Sequence, residues 1–204
     1  GRIMRADASA VAACDIVILA TPVEQIRPAI ATLRPNLKPG AIVIDVGSVK
    51  LEPVAIMQED LPENVEIIGT HPLFGPNSAR DGLAGLKIAI CPVRGRSVFR
   101  IAAFLRRVLG LRVLFTTPDA HDREMAVSQG LTHLIARALT QMGPLPSRMT
   151  TASFDLLVRA SEMVAGDASS VFAAIQHGNP HSRAVRERFF SCADGLVQAL
   201  ERDA

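Results

Sequence analysis

Ala41-Ile-Val-Ile-Asp-Val-Gly-Ser-Val-Lys50 decides the fold. Its apolar residues run without alternation, which marks a strand buried on both faces, as in a parallel sheet. Asp45 closes the run, and Gly47-Ser48 turn the chain away. Upstream, Asp15-Ile-Val-Ile-Leu-Ala20 has the same pattern and ends in Thr21-Pro22. Between the two, Val23–Leu33 carries Ile26, Ile30 and Leu33 at helical spacing, and Pro39-Gly40 punctuates. Downstream, residues 53–60 read as a short helix. Val65-Glu-Ile-Ile68, Lys87-Ile-Ala-Ile-Cys91 and Arg112-Val-Leu-Phe115 read as strands, with a helix capped by Ser97 running to Leu109. Strand–helix alternation predicts a mostly parallel sheet covered on both sides.

After Thr116-Thr-Pro-Asp119 the strand signal stops. Asp119 is the expected N-cap of a helix running to Met142, and residues 152–164, 168–176 and 182–200 follow as helices. The fold class is therefore α/β followed by all-α, with domains at 1–117 and 118–204. In the last helix Val185, Phe189, Cys192, Leu196 and Leu200 form a stripe at steps of three and four. Such a stripe needs cover, from the sheet domain, a second copy of the chain, or both.

Hydrophobic residues make up 49% of the 204, enough to exclude wholesale disorder. The apolar stretches, Ile16–Ala20 and Ile88–Cys91 among them, fall far short of the roughly 18 residues of a membrane helix, so no membrane partner is expected. Cys14, Cys91 and Cys192 are odd in number and widely spaced, which predicts free thiols in a reducing compartment. With no leader pattern before the first strand, a cytoplasmic location is expected. Net charge is +2, although Gly82–Pro118 holds seven basic residues and no acid. Phe99, Phe104 and Phe115 are expected inside apolar patterns, leaving no stacking platform, so no nucleic-acid partner is expected. No metal site is expected either: HExxH is absent, and Gly178-Asn-Pro180 breaks the helix between His177 and His181.

Ligands of open α/β sheets bind beyond the carboxyl ends of the strands. Thr21-Pro22, Ser48 and Gly69-Thr-His71-Pro72 all leave strands at that edge. Ser48 alone reads as a turn hydroxyl. His71, held in a rigid loop between Gly69 and Pro72, reads as functional. In the helical half, Asp122, Gln129 and His133 fall within about 20° of one stripe, facing either water or a ligand.

Three blocks together resemble one family: Asp45-x-Gly-Ser-x-Lys50, Gly69-Thr-His-Pro-Leu-Phe-Gly-Pro76 and His121-Asp-x-x-Met-Ala-x-x-Gln-x-Leu-x-His133. Their order and spacing are similar to those of the prephenate dehydrogenases. The resemblance implies a partial Rossmann-type domain, then a helical substrate-binding and dimerisation domain. It implies NAD(P)-dependent oxidative decarboxylation of prephenate on the route to tyrosine, by a homodimer. His71 matches the catalytic histidine that takes the ring hydroxyl proton, and Ser48 the serine that orients it near the nicotinamide. Thr21 and Pro22 match the turn lining the cofactor, NAD or NADP. His121, Gln129 and His133 match substrate-pocket positions, and Arg159 the arginine that holds a substrate carboxylate. Lys50 matches the motif lysine, with no role implied. Arogenate and amino-substituted prephenate are alternative substrates under the same motifs, and a catalytically silent, dimer-forming chain is the alternative of another class. No G-x-G occurs among the 204 residues. The expectation is therefore either a piece of a longer protein or a natural short form, one that binds NAD(P) weakly by itself.

Overall fold

The computed structural model describes residues 4–202. The chain divides into two compact units between His121 and Asp122.

The first unit is a five-stranded sheet in sequential order: β1 (Ile16–Leu19), β2 (Ile42–Asp45), β3 (Glu66–Pro72), β4 (Lys87–Arg94) and β5 (Arg112–Phe115). β1–β2, β2–β3 and β4–β5 pair in parallel, while β3–β4 is antiparallel. The break has a local cause. The segment from Leu73 to Leu86 forms turns and bends and no crossover helix, so β4 returns directly alongside β3. Helices α1 (Ala8–Ala12), α2 (Ile26–Leu33), α3 (Leu51–Asp60) and α4 (Val98–Arg107) complete the unit. A single 3₁₀ turn, Val23–Gln25, leads into α2.

Ile42, Ile44, Ile68 and Ile90 pack on Val98 and Ala102 of α4. Alternate residues point to the opposite face, which puts Asp45, Gly69 and His71 together there. α3 closes on that face at Gly69. A Cβ at Gly69 would stand 3.0 Å from the Val54 Cγ2 and 3.4 Å from the Lys50 Cδ, so only glycine fits without displacement.

Three expectations for this unit are corrected. The strand expected to end at Ile68 runs on to Pro72, so His71 lies in β3, paired with Ala89, and not in a loop. The antiparallel ladder to β4 captures the extra residues. Ser97 makes no side-chain cap. Instead the Glu66 carboxylate accepts from the Ser97 N–H at 2.7 Å and from its hydroxyl at 3.0 Å, capping α4 from β3. Phe99, Phe104 and Phe115 are 69%, 50% and 43% exposed, not buried in apolar patterns. β5 is an edge strand, so rings at its margin and on the outer face of α4 lie outside the core.

The second unit is helical. α5 (Pro118–Gln141) contributes its first turn to the first unit and the rest to the second. Its cap is Thr117, whose Oγ1 accepts from the Ala120 N–H at 3.2 Å. Asp119, the expected cap, sits in the first turn, displaced by the preference of Pro118 for the first helical position. α6 (Ala152–Ala165), α7 (Ser169–Ala173) and α8 (Ser182–Arg202) follow. Between α7 and α8 the chain widens into a π-helical turn, Ala174–Gly178, where a continuous α-helix was expected. The turn and its flank brace α5: the Gln176 Nε2 donates to the Gly130 carbonyl at 2.8 Å, and the Asn179 Nδ2 to the Asp122 carbonyl at 2.7 Å. On the α8 stripe Leu196 and Leu200 are 67% and 72% exposed. Among the described residues no helix is long and apolar enough to cross a membrane.

Candidate active site

The carboxyl ends of β1 and β2 carry Thr21-Pro22, exposed, and Ser48, half-buried. Behind them lies a fully buried ion pair. Lys50 donates to the Asp45 Oδ2, and neither side chain is exposed at all. The same oxygen accepts from the Gly47 N–H at 3.0 Å, which fixes the turn bearing Ser48. The Thr70 hydroxyl donates to the Asp45 carbonyl at 2.6 Å and ties β3 to β2. Burial pushes the Asp45 carboxyl up from the usual range, against the pull of Lys50. The Asp45 Oδ1 has no hydrogen-bond partner among the described residues.

His71 lies on the same face and is 4% exposed. Its Nδ1 is 2.9 Å from the Nε2 of His121, which is equally buried. Burial first, then His121 and the Lys50 cation, hold the His71 imidazole well below its ordinary proton affinity. At neutral pH it is an uncharged base. The structure therefore brings His71 and His121 together. No hydrogen bond links Ser48 to His71 among the described residues, the contact at Nδ1 being taken by His121.

In the second unit, the stripe expected to face either water or a ligand turns inward. Asp122 is fully buried and His133 is 5% exposed. His133 opens on a cleft of ≈ 360 Å³ lined also by Arg137, Thr140, Asp167 and Phe172. Its Nε2 is 3.6 Å from the Asp167 Oδ2. Burial lowers its proton affinity, with Asp167 opposing. The Gln129 Oε1 is buried without a hydrogen-bond partner among the described residues. Arg159 stands exposed on α6 and makes no ion pair or hydrogen bond among the described residues. No group of three His, Cys, Asp or Glu among the described residues is placed to hold a metal.

Two features escaped the sequence reading. Lys50 had no assigned role, although a lysine five residues after a strand-terminal aspartate signals a buried partner. Gln176 and Asn179 carried no signal, since their bonds are to main-chain carbonyls distant in sequence.

A probable arogenate/prephenate dehydrogenase of Methanocaldococcus jannaschii is 27% identical over 188 residues, covering 87% of this chain and 42% of the relative. Arogenate dehydrogenase 1 of Arabidopsis thaliana is 28% identical over 91% of this chain and 30% of its own length. A 4-amino-4-deoxyprephenate dehydrogenase of Streptomyces pristinaespiralis is 28% identical over 95% of this chain and 67% of the relative. The chain thus spans less than two thirds of several curated relatives. The fold superposes on the prephenate dehydrogenase of Aquifex aeolicus in complex with hydroxyphenyl propionate and NAD+, with a TM-score of 0.77 at 22% identity, over 98% of this chain and 74% of that one. The family model for the nucleotide-binding domain of prephenate dehydrogenase matches residues 3–107, which include the buried Asp45–Lys50 pair and His71. By that match, the chain belongs to the prephenate dehydrogenase family.

Proposed function

We propose that the protein carries out NAD(P)-dependent oxidative decarboxylation of prephenate or a close relative. The observation that supports this best is His71, a buried imidazole kept neutral at the edge of the sheet where Thr21, Pro22 and Ser48 emerge. A neutral imidazole accepts a hydroxyl proton at pH 7. Thr21 and Pro22 are open to solvent and Ser48 partly so, and these residues would hold the nicotinamide end of the cofactor. When bound, NAD or NADP supplies the hydride acceptor.

In the helical unit, His133 would line the substrate pocket and Arg159 would pair with a substrate carboxylate. Gln129 favours a second reading of the substrate. A buried side-chain carbonyl lacking a donor suits an ammonium group, as in arogenate or an amino-substituted prephenate. The exposed Leu196 and Leu200 of the α8 stripe support a homodimer joined through this unit. Light scattering on the chain tests the dimer, and a monomer removes it.

The test of the function is His71→Ala in the protein. Turnover is expected to fall by about a hundredfold to ten-thousandfold while NAD(P) affinity is kept. Near-normal turnover would rule out His71 as the base.

A further inference from the structure

We infer that His121 is the proton partner of His71: the two imidazoles work as one base, with a single hydrogen between them, and charge taken up at the Nε2 of His71 passes on to His121. The geometry leaves little choice. The His71 Nδ1 and the His121 Nε2 are 2.9 Å apart, with the rings edge to face at 66°. Two lone pairs or two N–H groups facing each other at that distance repel, so one nitrogen carries hydrogen and the other accepts. If the Nδ1 of His71 carries it, the Nε2 of His71 keeps a lone pair and is a base. If the Nε2 of His121 carries it, the Nε2 of His71 bears a hydrogen and cannot act as one. The two tautomers are therefore linked, and His71 is a base at its Nε2 when its Nδ1 donates to His121.

The same contact gives the proton somewhere to go. A proton arriving at the Nε2 of His71 forms one N–H bond there. The bridging hydrogen then leaves Nδ1 for the Nε2 of His121, breaking one N–H bond and forming another. His71 ends neutral and His121 carries the charge, with one proton gained in all. A second proton is excluded, because it would place two imidazolium ions side by side in a buried site. Besides His121, the charged group that acts on the His71 imidazole is the buried Lys50 cation. Lys50 therefore opposes a second charge on the pair.

The consequence for turnover rests on the function proposed above, whereas the coupling itself does not. Nitrogen-15 NMR of the histidines in this chain, followed against pH, tests the coupling directly. The expected result is one bridging hydrogen, seen as a coupling between the His71 Nδ1 and the His121 Nε2, and a single proton gained by the pair. Two independent imidazole titrations would overturn the inference with no variant needed. In the enzyme, His121→Gln keeps a carbonyl that accepts from the His71 Nδ1 yet cannot take the proton. It is expected to lower kcat about tenfold and shift the pH–rate profile, with KM held within about twofold, while His121→Phe loses about a hundredfold. An unchanged pH profile in both variants would overturn the relay. Coupled titration in an enzyme that does not turn over prephenate or its relatives would leave the pair standing and remove the function.

Discussion

The two units hold their polar residues by different means. In the first, Asp45, Thr70 and His71 lie on adjacent strands whose register is set by the main-chain ladder, Asp45 opposite Gly69. Side-chain bonds then close the cluster: Lys50 on Asp45, Thr70 on the Asp45 carbonyl, His121 on His71. In the second, the corresponding residues ride on helices with little apolar packing beneath them. Ala126, Ala136 and Ile175 are the buried apolar residues there among those described. What orders these helices is polar: Gln176 and Asn179 on α5 carbonyls, and the Arg186 Nη1 on the Gln176 Oε1 at 2.9 Å. Sheet edges thus fix chemistry before any ligand arrives, whereas the helical side chains stay open, with Gln129 unsatisfied and Arg159 in solvent.

The widest test of this contrast is Lys50→Met. Removing one partner of a buried pair leaves the other charge without compensation, at a cost of about 3–5 kcal/mol. Denaturant midpoints read this directly. Lys50→Met together with Asp45→Asn removes both charges and is expected to recover most of the loss. A cost for Lys50→Met below about 1 kcal/mol, the level of a surface pair, would show that the cluster is not buried as described.

The sheet was legible because unbroken β-branched runs such as Ile42–Ile44 admit few other readings. The end of β3 was not, because Gly69 and Pro72 suggest a loop until an antiparallel neighbour is known. Helix caps failed for a related reason. Ser97 has the right residue type, yet Glu66, distant in sequence, supplies the carboxylate. The motif histidines could be read, but their pairing could not, since 50 residues separate His71 from His121. Pattern reports residue types and periods. It does not report which distant side chain reaches an atom first.

A smaller effect is expected at Arg159. Its exposure and lack of partners suit either an arginine that meets a substrate anion or an ordinary surface side chain. If it holds the carboxylate, Arg159→Ala loses a charge-assisted bond of about 1.5–3 kcal/mol, which raises KM by roughly one to two decades. Arg159→Lys should recover only part of this, because a point charge cannot form the bidentate fork. A KM change under about twofold would assign Arg159 to the surface and extend the contrast, leaving the helical unit with fewer prearranged contacts.

The smallest effect separates the units through pH. His71 and His133 both have proton affinities lowered by burial. Below pH 6.5 the unfolded chain takes up protons that the folded chain refuses. Folding stability is therefore complete above that pH and declines as pH falls from 6.5 toward the folded-state values, by at most about 1.4 kcal/mol per pH unit for each group. The two histidines should not contribute alike. His71 is held down by burial, by His121 and by Lys50, all in the same direction, whereas Asp167 beside His133 pulls back toward the charged form. Thermal melts between pH 7 and pH 5 should therefore flatten clearly in His71→Gln and only slightly in His133→Gln. Equal flattening in the two variants would mean that the helical unit buries its histidine as firmly as the sheet does.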